Sequence, residues 1–129
     1  MFGAIKSAYY SKKFTNDYTS IRLHSNVITE LHPNTDFNIK ANLSIGRGHT
    51  YQRLGRSKFS TVSGSTVSHT GEAMAAIGPC SVVHVEVDFS MGDSYINSHS
   101  RVMCGDEITI GDGVAIAWNF EILDDNRHQ

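Results

Sequence analysis

An all-β solenoid of short strands and tight bends is the fold class that this 129-residue sequence predicts, and three observations carry the prediction. Large apolar residues recur at a step of six, at Ile39 and Ile45, at Ile77, Val83 and Phe89, and at Ile110, Ile116 and Ile122. Ile96, Val102 and Ile108 keep the step in a shifted phase. Gly, Asn or Asp stand between the apolar positions, with Gly46, Gly78, Gly92, Gly105, Gly111 and Gly113 placed for bends that need positive φ. Finally, neither the three-and-four spacing of a helix nor the simple alternation of a half-buried strand fits as well. A step of six suits flat strands that each give one large side chain to a central stack. Three strands close a coil, and coils pair their backbones with those above and below.

Composition bounds the class further. Hydrophobic residues make up 40% of the chain and charged residues 19%, enough for one core. A formal net charge of -2 without a basic face gives no reason to expect a nucleic-acid partner. No apolar run reaches the roughly 18 residues of a membrane span, so stable membrane insertion is not expected. Cys80 and Cys104 are too few for a disulfide scaffold and form no CxxC pair, which favours reduced thiols and a cytoplasmic setting.

Taken in order, "MFGAIKSAYYSKKF" reads as a short helix with Phe2, Ile5, Tyr9 and Lys13 on one face, not as a secretory signal. The stretch to about residue 38 reads as irregular, so residues 1–38 are assigned to an N-terminal cap and 39–129 to the solenoid. "IKANLS" and "IGRGHT" open the repeats. From Arg47 to Ala76 the period degrades: "STVSGSTVSH" reads as coil with a poor repeat and "TGEAMAA" as a loop. No charged or Pro-rich linker divides the chain there. "IGPCSV", "VHVEVD" and "FSMGDS" then restore the step, and "IGDGVA", "IAWNFE" and "ILDDNR" close it.

"IGPCSV", "IGRGHT" and "IGDGVA" resemble the motif of the hexapeptide-repeat family, whose fold is a left-handed parallel β-helix. "IAWNFE" fits less well, and "VHVEVD" fits at its aliphatics only. The resemblance covers about residues 39–129. It implies an acyltransferase, similar to sugar and maltose O-acetyltransferases, that moves an acetyl group from acetyl-CoA to a hydroxyl of a saccharide or similar acceptor without a metal. It also implies a homotrimer with active sites between subunits.

"ILDDNRH" is similar to the family segment that carries the catalytic histidine, which makes His128 the expected general base. Asp125 or Asp124 is expected to hold its other ring nitrogen. "YIN" resembles an element of the preceding coil, so Asn97 is expected at the acceptor hydroxyl or the oxyanion, with Tyr95 beside it. Trp118, where the family often has a turn residue, is expected to wall an acceptor or pantetheine pocket or a subunit interface. Thus His128, Asn97 and Asp125 are the catalytic candidates, and Tyr95, Trp118 and Asp124 the substrate-binding ones. No covalent nucleophile stands out, so direct attack in a ternary complex is expected.

Of seven histidines, His24, His32, His49, His69, His84 and His99 read as surface or turn residues, and the role of His99 is open. No spacing matches HExxH or a zinc-binding Cys/His pair. A γ-class carbonic-anhydrase-like site built on His84, His99 and His128 is one alternative, although their spacing departs from that class. A non-catalytic scaffold or remnant is the other. In the family, further coils follow the catalytic segment, so the β-helix is expected to be incomplete after Gln129.

Overall fold

The computed structural model describes residues 2–15, 20–24, 27–46 and 56–124. A helix, α1 (Phe2–Thr15), precedes fourteen strands: β1 (Ile21–Leu23), β2 (Val27–Glu30), β3 (Asp36–Ile39), β4 (Leu43–Ile45), β5 (Ser57–Thr61), β6 (Thr66–His69), β7 (Ala75–Ile77), β8 (Val82–Val85), β9 (Asp88–Met91), β10 (Tyr95–Ile96), β11 (Arg101–Cys104), β12 (Glu107–Ile110), β13 (Ala115–Ile116) and β14 (Glu121–Asp124). Every third strand falls into the same sheet. The three sheets run β1-β4-β7-β10-β13, β2-β5-β8-β11-β14 and β3-β6-β9-β12. All pairings are parallel, which makes the chain a three-sided β-solenoid.

The step of six places large side chains from successive strands into three internal columns, and several strands bury a second one, as Met91 and Ile110 do. Leu23, Ile45, Ile77, Ile96 and Ile116 stack in register in the first sheet. Phe59, Val83, Val102 and Ile122 stack in the second, and Phe37, Val67, Phe89 and Ile108 in the third. Nearly all of these are buried, and burial of such side chains contributes about 1.5–3 kcal/mol each. Phase slips fall at the corners, where each coil takes up the residues that exceed three hexads.

Solenoid structure starts at Ile21, so β1 to β3 form a first coil within the stretch that the period left as cap. Its hexad pattern is hidden because Thr29, not an aliphatic, occupies the column above Phe59. There Thr29 donates its hydroxyl proton to the Tyr10 hydroxyl of α1 (3.0 Å). The helix covers this coil: Phe14 packs on Phe37 with ring centroids 4.6 Å apart, and Phe37 meets Phe59 edge-on at 6.0 Å. Buried Ser11 accepts the Ile21 amide proton on its hydroxyl (3.0 Å), fixing the entry into the first strand.

Two corner devices differ from expectation. Gly46 and Gly113 take positive φ, but Gly78, Gly92, Gly105 and Gly111 do not. At the corner between the first and second sheets the left-handed position falls instead on Cys80 (φ 61°), His99 (60°) and Asn119 (55°), one on each of three successive coils. Asn and His tolerate that conformation better than most side chains. The residues that follow tie the coils together through serine hydroxyls. Ser57 Oγ accepts the Ser81 amide proton (3.3 Å), Ser81 Oγ that of Ser100 (3.2 Å) and Ser100 Oγ that of Phe120 (3.3 Å).

Replacing Phe89 by Ala, which opens a hole in the middle of a column, is expected to cost about 3–5 kcal/mol in denaturant unfolding. Leu123→Ala, on a side chain 62% exposed, is expected to change stability by under about 0.5 kcal/mol. Equal losses at the two positions would contradict the assignment of faces.

Candidate functional site

His69 and His84 each have a carboxylate partner, and the geometry leaves them with different chemistry. His69 ends β6 in an internal column, between Ile39 and Met91, where the pattern elsewhere places apolar side chains. Its side chain is wholly buried. Nδ1 accepts the Ala41 amide proton (3.1 Å), so the ring hydrogen is on Nε2, which donates to Asp93 Oδ1 at 2.8 Å. Both nitrogens are therefore committed, and the ring cannot take a proton from a substrate without giving up the Ala41 bond.

Asp93 completes a carboxylate ladder along the corner between the third and first sheets. It accepts the amide protons of Glu72 (2.9 Å to Oδ2) and Ala73 (3.0 Å to Oδ1) from the coil before it. Asp112, one coil further on, accepts the Asp93 amide proton in the same way (2.8 Å). The carboxylates occupy the space a side chain would need. A Cβ on Gly71 would lie 2.2 Å from Asp93 Oδ1, and one on Gly92 would lie 2.3 Å from Asp112 Oδ1. The His69 hydrogen bond above all, with the two backbone amides, holds the Asp93 carboxyl below its usual range. Outside this ladder, the exposed Lys40 ammonium is held above its usual range by its hydrogen bond to Glu72 (2.9 Å).

His84 lies on the outer face of the second sheet. The β5–β8 register sets it beside Ser60, whose Oγ is 2.7 Å from Nδ1. Glu86, at the bend just after β8, places Oε2 3.2 Å from Nε2. An ionised carboxylate only accepts, so Nε2 carries the hydrogen and Nδ1 accepts the Ser60 hydroxyl proton. Unlike His69, His84 thus holds a basic nitrogen against a hydroxyl. Beside it an open depression of about 170 Å³ is lined by His84, Glu86, Met103, Cys104, Leu123 and Asp124, among others. Burial pushes the Cys104 thiol above its usual range, and its Sγ–H points to the Asp88 carbonyl (3.0 Å), so it is not poised as a thiolate.

The residues nominated from sequence are dispersed among the described coils. Asn97 is half-buried at the corner after β10, and its backbone N–H donates to the Ile116 carbonyl (3.0 Å). Trp118, 49% exposed, stands at the same corner one coil on. Tyr95 is on the outer face of the first sheet, where burial raises its phenol and where it lines a shallow depression of about 300 Å³ with Met74, Ala76, Asp93, Ser94, Gly113 and Val114. Asp124 is at the far end of β14, and its carboxylate accepts the Glu107 amide proton. Asp125 and His128 lie outside the described residues, as does His49.

His99 is exposed at the corner that also carries Asn97, away from the outer sheet face that carries His84. Among the described residues no group of three His, Cys, Asp or Glu side chains is arranged to hold a metal ion. No described helix is long and apolar enough to cross a membrane.

Sequence reasoning passed over Ser60, His84 and Glu86 as members of one site. The signal that reveals them is register: once the internal column through Phe59 and Val83 is aligned, the outward neighbours Ser60 and His84 fall side by side. Comparison with known proteins adds no assignment, since no family model, curated protein or solved structure matches the chain.

The folded-state lowering of Asp93 gives a pH prediction. A carboxyl that titrates lower in the folded than in the unfolded chain stabilises the fold above its unfolded value, near 3.8, and loses that contribution as pH falls through the folded value. Asp93→Asn is expected to lower the thermal midpoint at pH 7. The gap to the parent should close below about pH 3.8. A gap that stays constant with pH would contradict the carboxylate's role.

Proposed function

We propose that the chain is a hexapeptide-repeat acyltransferase that moves an acetyl group from acetyl-CoA to a hydroxyl of a saccharide or similar small acceptor. The observation that carries this reading is the in-register stacking of the hexads in three parallel sheets. It is the architecture implied by the family that "IGPCSV" and "ILDDNRH" resemble. In this reading the enzyme is a cytoplasmic homotrimer of left-handed β-helices, and acyl-CoA lies along a groove between subunits.

His128 is the general base in this reading. It takes the acceptor hydroxyl proton as the oxygen attacks the thioester carbonyl, a contribution of about 10²–10⁴-fold. Asp125 or Asp124 holds the other ring nitrogen, and the Asn97 side-chain amide donates to the oxyanion. Asn97 and Trp118 share a corner on adjacent coils, which suits a wall for the acceptor, with Tyr95 one face away. A scaffold reading is favoured by a different observation: Trp118, Phe120 and Leu123 are all about half exposed or more on the last described coil, a surface suited to association.

Release of free CoA thiol from acetyl-CoA, followed across a panel of saccharides, tests the reading. Acceptor-dependent release is expected, and its absence with every saccharide would leave the scaffold reading in place. His128→Ala is expected to lower turnover by about 100-fold or more with the thermal midpoint unchanged, and Asn97→Ala to lower it less. Turnover of His128→Ala within about tenfold of the parent would rule out His128 as the base.

A further inference from the structure

We propose that Ser60, His84 and Glu86 form a separate nucleophilic centre on the outer face of the second sheet, at which Ser60 is acylated by small carboxylic esters and then freed by water. The proposal is independent of the acetyl-CoA reading, since it uses none of the residues assigned to that reaction.

The geometry is that of a nucleophile, base and orienting acid. Ser60 Oγ is 2.7 Å from His84 Nδ1, and Glu86 Oε2 is 3.2 Å from Nε2. Such a constellation is defined by distances and roles rather than by chain order, and here the imidazole is used in the sense that leaves Nδ1 as the base. Ser60 and His84 are register partners on neighbouring strands, about 4.8 Å apart along the solenoid axis. Ladder hydrogen bonds hold both backbones, so the hydroxyl and the ring meet with little freedom to lose.

Lys58 is two residues before Ser60 on the same face of β5, and its ammonium reaches Glu30 Oε1 (3.4 Å), the carboxylate of the residue paired with Ser60. The Lys58 charge is thus paired with Glu30 on the neighbouring coil, on the side of Ser60 opposite His84. On the other side of His84 from Ser60, which is itself 8% exposed, Met103 and Leu123 line the apolar part of the depression. His69 is the internal contrast: it too has a carboxylate partner, but its second nitrogen is held by a backbone amide and not by a hydroxyl.

In the first half-reaction Ser60 Oγ bonds to the ester carbonyl carbon while its proton passes to His84 Nδ1. The carbonyl electron pair moves onto oxygen and returns as the ester C–O bond breaks, and the departing alkoxide takes the proton from His84 to leave as the alcohol. In the second, water attacks the acyl-Ser60 ester. Its proton passes through Nδ1 back to Ser60 Oγ, and the carboxylic acid is released. Glu86 accepts the Nε2 hydrogen throughout and acts as a positioning residue.

The test is incubation of the full chain with 4-nitrophenyl acetate, with nitrophenolate release followed alongside peptide-mapped mass spectrometry. A single acetyl adduct on Ser60 is expected, and Ser60→Ala should lose it while keeping the parent's circular-dichroism melt. His84→Gln is expected to slow acylation by about 100-fold. Glu86→Gln should slow it by about tenfold or more, with Glu86→Asp recovering part of the loss, a rescue that a purely structural role would not produce. Ser68→Ala, on the outer face of the third sheet, should leave acylation unchanged. Nitrophenolate release that Ser60→Ala leaves undiminished, absence of both release and a Ser60 adduct, or an undiminished rate in folded His84→Gln would overturn the proposal.

Discussion

In-register parallel pairing between successive coils is the constraint on which the rest of the structure depends. Each strand is too short to be stable alone, and each coil buries only one or two large side chains per side. Stacking solves both problems at once, because the backbone of one coil satisfies that of the next while columns such as Leu23, Ile45, Ile77, Ile96 and Ile116 exclude water. Register then decides the outer surface as well. A side chain next to an internal residue has to face outward, so the alignment of Phe59 with Val83 is also what joins Ser60 to His84.

The corners show what such stacking demands where strands break off. Some backbone amides there are satisfied by carbonyls of the neighbouring coil, and others by its side chains. Serine hydroxyls do this at one corner, from Ser57 through Ser81 to Ser100. Carboxylates do it at another, from Asp112 to the Asp93 amide and from Asp93 to the Glu72 and Ala73 amides. The carboxylate ladder explains a glycine pattern that conformational freedom does not: neither Gly71 nor Gly92 has positive φ, and each makes room for an aspartate from the adjacent coil. It also explains a histidine in an apolar column, since Asp93 offers His69 an acceptor.

Legibility in the sequence followed the same division. Wherever the internal residue is a large aliphatic, as from Ile77 onward, the step of six reads directly as fold. It failed for the first coil, where Thr29 takes a column position and the packing is completed by Tyr10 and Phe14 of the helix. The left-handed corner positions were hidden because Cys80, His99 and Asn119 occupy them where glycine was the natural expectation. The structure sets Asn97 and Trp118 at one corner on adjacent coils. Ser60, His84 and Glu86 were not legible, because the serine and the histidine belong to different coils and neither has a local motif; only the register unites them.

The most direct test of this account is nuclear magnetic resonance detection of contacts between backbone protons of neighbouring coils. The account predicts parallel contacts pairing Lys58 with Val82, Val82 with Arg101 and Arg101 with Glu121, and with them Ser60 beside His84. A register shifted by one residue would turn Ser60 and His84 to opposite sides of the sheet. That result, or antiparallel contacts, would contradict both the stacking and the site built upon it.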